Sequence, residues 1–266
     1  MSQADFLLNS KEDREWCEKF GVNVTWPGRP DYPEGLTELT VRPAVLFYMG
    51  RPVWLDHDLI SVVGSRTPHS QSLNWLDKEL GSALKGRHCA VVSGGARGVD
   101  QKAHQIALRL EIPTLLILPS GLRRLYPALL GEYVDIILAG GGCIMSQFLP
   151  SQEMRKSFFR ERNKIIAAIS PATLVVECKR RSGTLLTANF ARDYDRHVCV
   201  MPTFPSEAGL GGLDLICDSG ATVIRDSQDL QLILNRTAKL VNTETQEQRI
   251  CDPGGQIGWS FARTSK

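Results

Sequence analysis

The sequence predicts an α/β protein with a doubly wound, mostly parallel sheet, preceded by a small N-terminal lead-in. Short runs rich in Val, Ile and Leu recur along the chain, stretches with helical periodicity separate them, and glycines fall where a run gives way to a helix. Continuous apolar runs, rather than strict alternation, are the pattern of parallel strands buried on both faces between two layers of helices. Ligands of such sheets bind beyond the C-terminal strand ends.

Residues 1–58 form the lead-in, in which TWPGRPDYP (25–33) breaks any regular element and PAVLFYMG (43–50) reads as one strand packed on the main body. The core spans 59–235. Its apolar runs are ISVVG (60–64), CAVVS (89–93), TLLIL (114–118), VDIIL (134–138), GCIMS (142–146), TLVVE (173–177), HVCVM (197–201) and ATVIR (221–225), with helical patterns over 72–84 and 99–110. After about residue 235 the chain turns polar and then glycine-rich, which predicts a tail over 236–266 with at most a short docked segment around Trp259 and Phe261.

Composition narrows the class. A chain of 266 residues, 42% of them hydrophobic, has enough apolar surface for a full core. Its seven cysteines are scattered singly and several lie in apolar runs, so they read as reduced core residues in a cytoplasmic protein and not as disulfides or zinc ligands. The first 16 residues carry charges where a signal peptide needs an apolar centre, and no run approaches the roughly 20 apolar residues of a membrane span. Charge is uneven: residues 151–200 hold 10 Lys and Arg against 5 Asp and Glu, about +5 in a chain whose net charge is +2. A local cationic surface of this kind suits a polyanion.

Three motifs carry the binding chemistry. The first core strand ends in VGSR, with Ser65 and Arg66, and the second in SGGARG, with Gly94, Gly95 and Arg97. A glycine turn between strand and helix offers backbone N–H groups and a helix N-terminus to an anion. Neither GxGxxG nor GxxxxGK[ST] is present, and no acid near Leu118 awaits a ribose, so the dinucleotide and triphosphatase fingerprints fail. In FFRERNKIIAAIS (158–170), Ile165, Ile166 and Ile169 face the core, while Arg160, Arg162, Asn163 and Lys164 are the expected groove donors, Arg160 and Lys164 sharing a face at i and i+4. Ser182, Gly183 and Thr184 then open a helix beside Lys179, Arg180 and Arg181. Phe158, Phe159 and Phe190 read as core, so base stacking is expected to be modest.

Catalytic machinery is thin. The five histidines share no metal-ligand spacing and no GxSxG elbow occurs. His104 reads as a packing residue and Asp100 as a helix cap; Glu177, at a strand end, is the best acid for a site.

Taken in order, VGSR (63–66), SGGARGVDQKAH (93–104), GLRRLYP (121–127), FFRERNKIIAAIS (158–170), VVE (175–177), SGTLLTA (182–188) and DSGA (218–221) resemble the DNA-processing protein A family (DprA/Smf), over about 32–224. The resemblance implies an extended Rossmann fold and a non-catalytic, cofactor-free protein. Such a protein binds and protects single-stranded DNA and helps load the RecA recombinase, as in natural transformation, usually as a homodimer. It maps the DNA-facing pocket onto Arg66, Arg97, Arg162, Asn163, Lys164 and Ser182 to Thr184. The chain departs from the family pattern at SGGARGVD, at Gln147, at Gly211-Gly212-Leu213 and at Pro202-Thr203, and its last 30 or so residues are not expected to form the winged helix that many members add. Two alternatives keep the pocket and change the ligand. One is a nucleotide sensor; the other is a nucleoside-monophosphate phosphoribohydrolase of the LOG type, against which stands a PGG at 253–255 that lacks the following glutamate.

Overall fold

The structure is a computed structural model and describes residues 10–126, 130–203 and 206–250, with side chains described to residue 238. Pro127, Cys251, the PGG at 253–255 and the segment around Trp259 and Phe261 lie outside the described residues.

The strands are β1 (Asn23–Thr25), β2 (Leu46–Gly50), β3 (Asp58–Gly64), β4 (Cys89–Ser93), β5 (Thr114–Ile117), β6 (Cys143–Ser146), β7 (Ala172–Val176), β8 (His197–Val200) and β9 (Thr222–Val223). The helices are α1 (Lys11–Lys19), α2 (Ser70–Leu84), α3 (Val99–Arg109), α4 (Leu130–Ala139), α5 (Lys156–Ile169), α6 (Gly183–Asp193), α7 (Leu210–Ser219) and α8 (Ser227–Ile250). One sheet runs in the order β1-β2-β6-β5-β4-β3-β7-β8-β9. The seven core strands β3 to β9 pair in parallel. The lead-in supplies β1 and β2, which add an antiparallel edge on β6. The predicted doubly wound α/β sheet is therefore present.

Alternate residues of each strand feed opposite layers. Leu59, Val63, Val92, Leu115, Ile117 and Val175 pack with α5 and α6, while Ile60, Val62, Val91, Leu174 and Val176 pack with α2, α3 and α8. Burial on both faces is why these strands read as unbroken apolar runs. β3 lies at the centre between β4 and β7. Strand order reverses there, so the C-terminal ends of β3, β4 and β7 open a crevice.

The lead-in is fastened at the opposite end of the sheet. Arg196 donates from Nη2 to Gly35 O at 3.0 Å and to Glu38 Oε2 at 2.8 Å, and from Nε to Ala168 O at 3.1 Å. A Cβ on Gly35 would stand 2.7 Å from Ala168 O, so the turn over Glu34–Leu36 reaches α5 only with glycine there.

Two sequence expectations need correction. VDIIL is not a strand but the body of α4: Leu130, Val134 and Ile137 are buried at i, i+4 and i+7, whereas Ile136 is 54% exposed. A short apolar run has no strand-specific period, and here the helical spacing on its N-terminal side decides. The polar stretch after 235 continues α8 to Ile250. Residues 227–250 contain no Gly or Pro, and Leu230, Ile233, Leu234 and Thr237 bury one stripe. Just past the end of α2, Arg87 also donates to Asn235 at 2.7 Å.

The α4 assignment makes a direct prediction. Ile137→Ala costs about 2–5 kcal/mol of unfolding free energy in a denaturant titration, as a buried large-to-small change does. Ile136→Ala stays within about 0.5 kcal/mol, as surface changes do; equal costs at the two positions would contradict the helix.

Candidate functional site

The crevice is organised by a buried guanidinium. Arg162 on α5 is only 4% exposed, and its Nη1 donates to Gly94 O at 2.6 Å and to Ile117 O at 2.9 Å, joining the ends of β4 and β5. A Cβ at Gly94 would lie 1.8 Å from that nitrogen, so any side chain there would displace the guanidinium from its present place. Asp100, in the first turn of α3, turns its Oδ2 back to accept from Gly94 N at 3.2 Å and Ala96 N at 3.3 Å. Burial raises the Asp100 carboxyl above its ordinary range, with Arg162 and the two N–H groups pulling it down. Burial likewise lowers the Arg162 guanidinium to about 10, with Asp100 opposing.

This corrects the expectation that the glycine turn presents free N–H groups to a ligand. The protein's own carboxylate occupies two of them. Gly95 is buried with φ +68° and meets the Leu116 side chain, outside both cavities described below. Gly98, at φ +86°, lets the loop touch Ser65 O, to which Val99 N donates at 3.2 Å.

A cavity of about 400 Å³ opens over this floor, walled by Ser65, Arg66, Phe159, Arg162, Asn163, Lys179 and the Ser182-Gly183-Thr184 turn. Ser182 caps α6, its Oγ accepting from Leu185 N at 3.1 Å, and Leu186 N bonds to Ser182 O. The N–H groups of Gly183 and Thr184 therefore lie at the helix start with no intrahelical acceptor. Thr184 Oγ1 donates to Gly64 O at 2.8 Å and Asn163 Nδ2 to Gly183 O at 3.4 Å, so the turn is tied to β3 and α5. A neighbouring cavity of about 370 Å³ shares Arg66, Phe159 and Arg162 and adds Gly94, Arg97 and Tyr126.

Helical geometry separates the RERNK donors. Phe159, Arg162, Asn163 and Ile166 fall on one face of α5 and line the first cavity. Arg160 and Lys164 lie roughly a quarter to a half turn away, flank the Phe190 ring at 5.4 and 6.0 Å, and stand outside both cavities. Lys164 is also paired with Glu161 at 2.9 Å. Of the basic trio before α6, Lys179 lines the cavity while Arg180 is held bidentately by Asp214, both distances 2.6 Å.

Phe159 is the residue that sequence reasoning missed. It is half-buried rather than core, with the Arg66 guanidinium 5.5 Å from its ring centre. The signal available was its i+3 and i+4 relation to Arg162 and Asn163.

The acid and base candidates each have partners within the fold. Glu177 Oε2 accepts from His69 N at 2.9 Å and Ser72 Oγ at 2.7 Å, fixing the start of α2. His104 is buried with Nδ1 2.6 Å from Thr114 Oγ1; because that hydroxyl donates to Val91 O, the imidazole carries its proton on Nδ1. Among the described residues no group of three or more His, Cys, Asp or Glu could hold a metal.

Fold and crevice together define a doubly wound α/β protein with a cationic cleft at its topological switch point. Residues 23–235 match the family model for DNA recombination-mediator protein A. The chain is 34% identical over 240 residues to Protein Smf of Synechocystis sp., covering 88% of this chain and 58% of that relative. It is 31% identical over 199 residues to the DNA processing protein DprA of Streptococcus pneumoniae, covering 75% of this chain and 70% of that one. The X-ray structure of DNA processing protein A (DprA) from Streptococcus pneumoniae superposes with a TM-score of 0.74 at 29% identity, over 85% of this chain and 78% of that chain. DNA processing protein A from Helicobacter pylori has the same fold, with a TM-score of 0.68 at 24% identity over 84% and 97%. The chain belongs to the DNA recombination-mediator protein A family. It spans under two thirds of the length of the Synechocystis relative.

The buried imidazole sets a pH dependence. Burial, reinforced by Arg162, lowers His104 to about 3, against about 6.5 unfolded. The unfolded chain takes up this proton first, so stability falls as pH drops below about 6.5. The stability of His104→Gln is therefore less pH-dependent than wild type between about pH 7 and pH 5 in denaturant titrations; parallel curves would contradict it.

Proposed function

We propose that this chain binds single-stranded DNA in the cleft at the ends of β3, β4 and β7 and breaks no bond there. The observation that carries the reading is the wall shared by the two cavities, where the Arg66 guanidinium rests on Phe159 beside the open N-terminus of α6. Arg66, Lys179 and Arg97 neutralise phosphates, and the N–H groups of Gly183 and Thr184 orient one of them. Asp100 accepts from the backbone N–H groups of Gly94 and Ala96, Glu177 accepts from His69 N and Ser72 Oγ and stands 3.1 Å from the His69 ring, and His104 is buried and neutral, so each of these groups already has a structural partner. A relative supports the choice of ligand: the Helicobacter pylori protein's structure is described as giving its single-stranded DNA binding mode.

On this reading the protein is a cytoplasmic strand-protecting factor that helps load RecA and works as a homodimer, roles that family membership suggests. Phosphate neutralisation dominates affinity, so binding is tolerant of sequence and weakens steeply with salt.

Fluorescence anisotropy with a labelled single strand at several salt concentrations tests the site. Arg66→Ala weakens binding to all sequences alike and lowers the log–log salt slope by about 0.7 for each phosphate that is no longer neutralised. Unchanged affinity, or wild-type protein that binds a mononucleotide and no strand, would contradict the proposal.

A further inference from the structure

At the end of the sheet opposite the cleft, a cavity of about 160 Å³ opens between the turn over Glu34–Leu36, the start of β3 and the end of α5. Its charge is the reverse of the cleft's. Glu34, Glu38 and Asp58 line it, and Arg196, the arginine of the described lining, is already taken up by Glu38 and by the carbonyls of Gly35 and Ala168. Glu34 and Asp58 are exposed and have no ion-pair partner among the described residues. Helix α5 ends at this wall, and its last carbonyls, which lack intrahelical donors, add partial negative charge. Two rings complete the lining. Trp54 is held by its Nε1, which donates to Asp31 O at 2.9 Å, and by Tyr48, edge-on with centres 5.0 Å apart. The His57 side chain is only 6% exposed and stacks on His88 at 4.1 Å. Asp56 accepts from its Nδ1, so the neutral ring keeps Nε2 as an acceptor.

We infer that this cavity binds a guanidinium group carried on a short apolar stem. The cation lies against the Trp54 ring, its N–H groups go to Glu34, Asp58 and His57 Nε2, and its methylenes rest on Pro33 and Pro171. Several acceptors around one aromatic wall suit a planar fork of donors better than an ammonium, which is a compact and more strongly hydrated point charge. The carboxylates repel phosphate, so the site is separate from the cleft and the inference does not rest on the reading of the cleft. The same chemistry has two sources, a free alkylguanidine or an arginine side chain of a partner protein.

Isothermal titration calorimetry of the whole chain at constant ionic strength tests it with three probes: n-butylguanidinium, n-butylammonium and the blocked tripeptide acetyl-Gly-Arg-Gly-amide. A guanidinium probe binds saturably at a single site, and n-butylammonium binds on the order of tenfold more weakly than n-butylguanidinium or not at all. Glu34→Gln and Asp58→Asn each weaken the guanidinium probe by about tenfold, as loss of a hydrogen-bonded charge does. Both positions are exposed, so the two variants keep the wild-type unfolding midpoint. Tighter binding of the tripeptide supports the site with a partner's arginine as the source; binding of n-butylguanidinium without the tripeptide supports it with a free alkylguanidine. The site is overturned if neither guanidinium probe binds saturably, if n-butylammonium binds as well as n-butylguanidinium, or if both variants bind like wild type.

Discussion

The cleft depends on one buried guanidinium. Arg162 crosses from α5 to two carbonyls at the ends of β4 and β5, and Asp100 reaches the N–H groups of the same turn from α3. Each group alone would be an expensive buried charge; together they satisfy the polar backbone that the end of a parallel sheet leaves open. Such an arrangement adds little to stability compared with apolar packing. What it fixes is geometry: three elements meet at one point, and the cavity walls are built outward from it. Removing one partner leaves the other a buried, uncompensated charge, at a cost of about 3–5 kcal/mol.

The same pair divides labour between two helix starts. The turn before α3 has its N–H groups filled internally by Asp100, so it serves as rigid floor. The turn before α6 has Ser182 capping one N–H and leaves two at the mouth of the cavity. Open N–H groups are therefore found at the Ser-Gly-Thr motif and not at Gly94 and Ala96, toward β7 and away from the β4 end. The polar donors follow them, since Lys179, Arg66 and Asn163 all line that side.

Much of this was legible in the sequence, and the failures have physical causes. Parallel strands announce themselves because burial on both faces leaves no polar residue to interrupt them, as in CAVVS and TLVVE. VDIIL carried the same composition but belonged to a helix whose stripe begins at Leu130. Residues 236–250 were too polar to suggest a helix, yet only the stripe over 230–237 needs to be apolar for α8 to dock. In the site, residue types pointed to the segments that line the cleft, while which face of α5 turns toward it required the folded chain. Arg160 and Lys164 carry the same charge as Arg162 but sit on another face of α5, and their environment is Phe190. Asp100 was readable as a cap, while its target, the glycine turn, required the folded chain. Tyr126 lies in a loop without period, so its place beside Phe159 is a fact of tertiary structure alone.

The central claim is that a single strand lies along the ends of β3, β4 and β7. The most direct test is ultraviolet cross-linking of a thymine-rich single strand to the protein, with the adducts located by peptide mass spectrometry. The account predicts adducts on the peptides that carry Tyr126 and Phe159, abolished when unlabelled strand is added in excess. Adducts concentrated at the far end of the sheet, around Trp54 and Arg196, would contradict it.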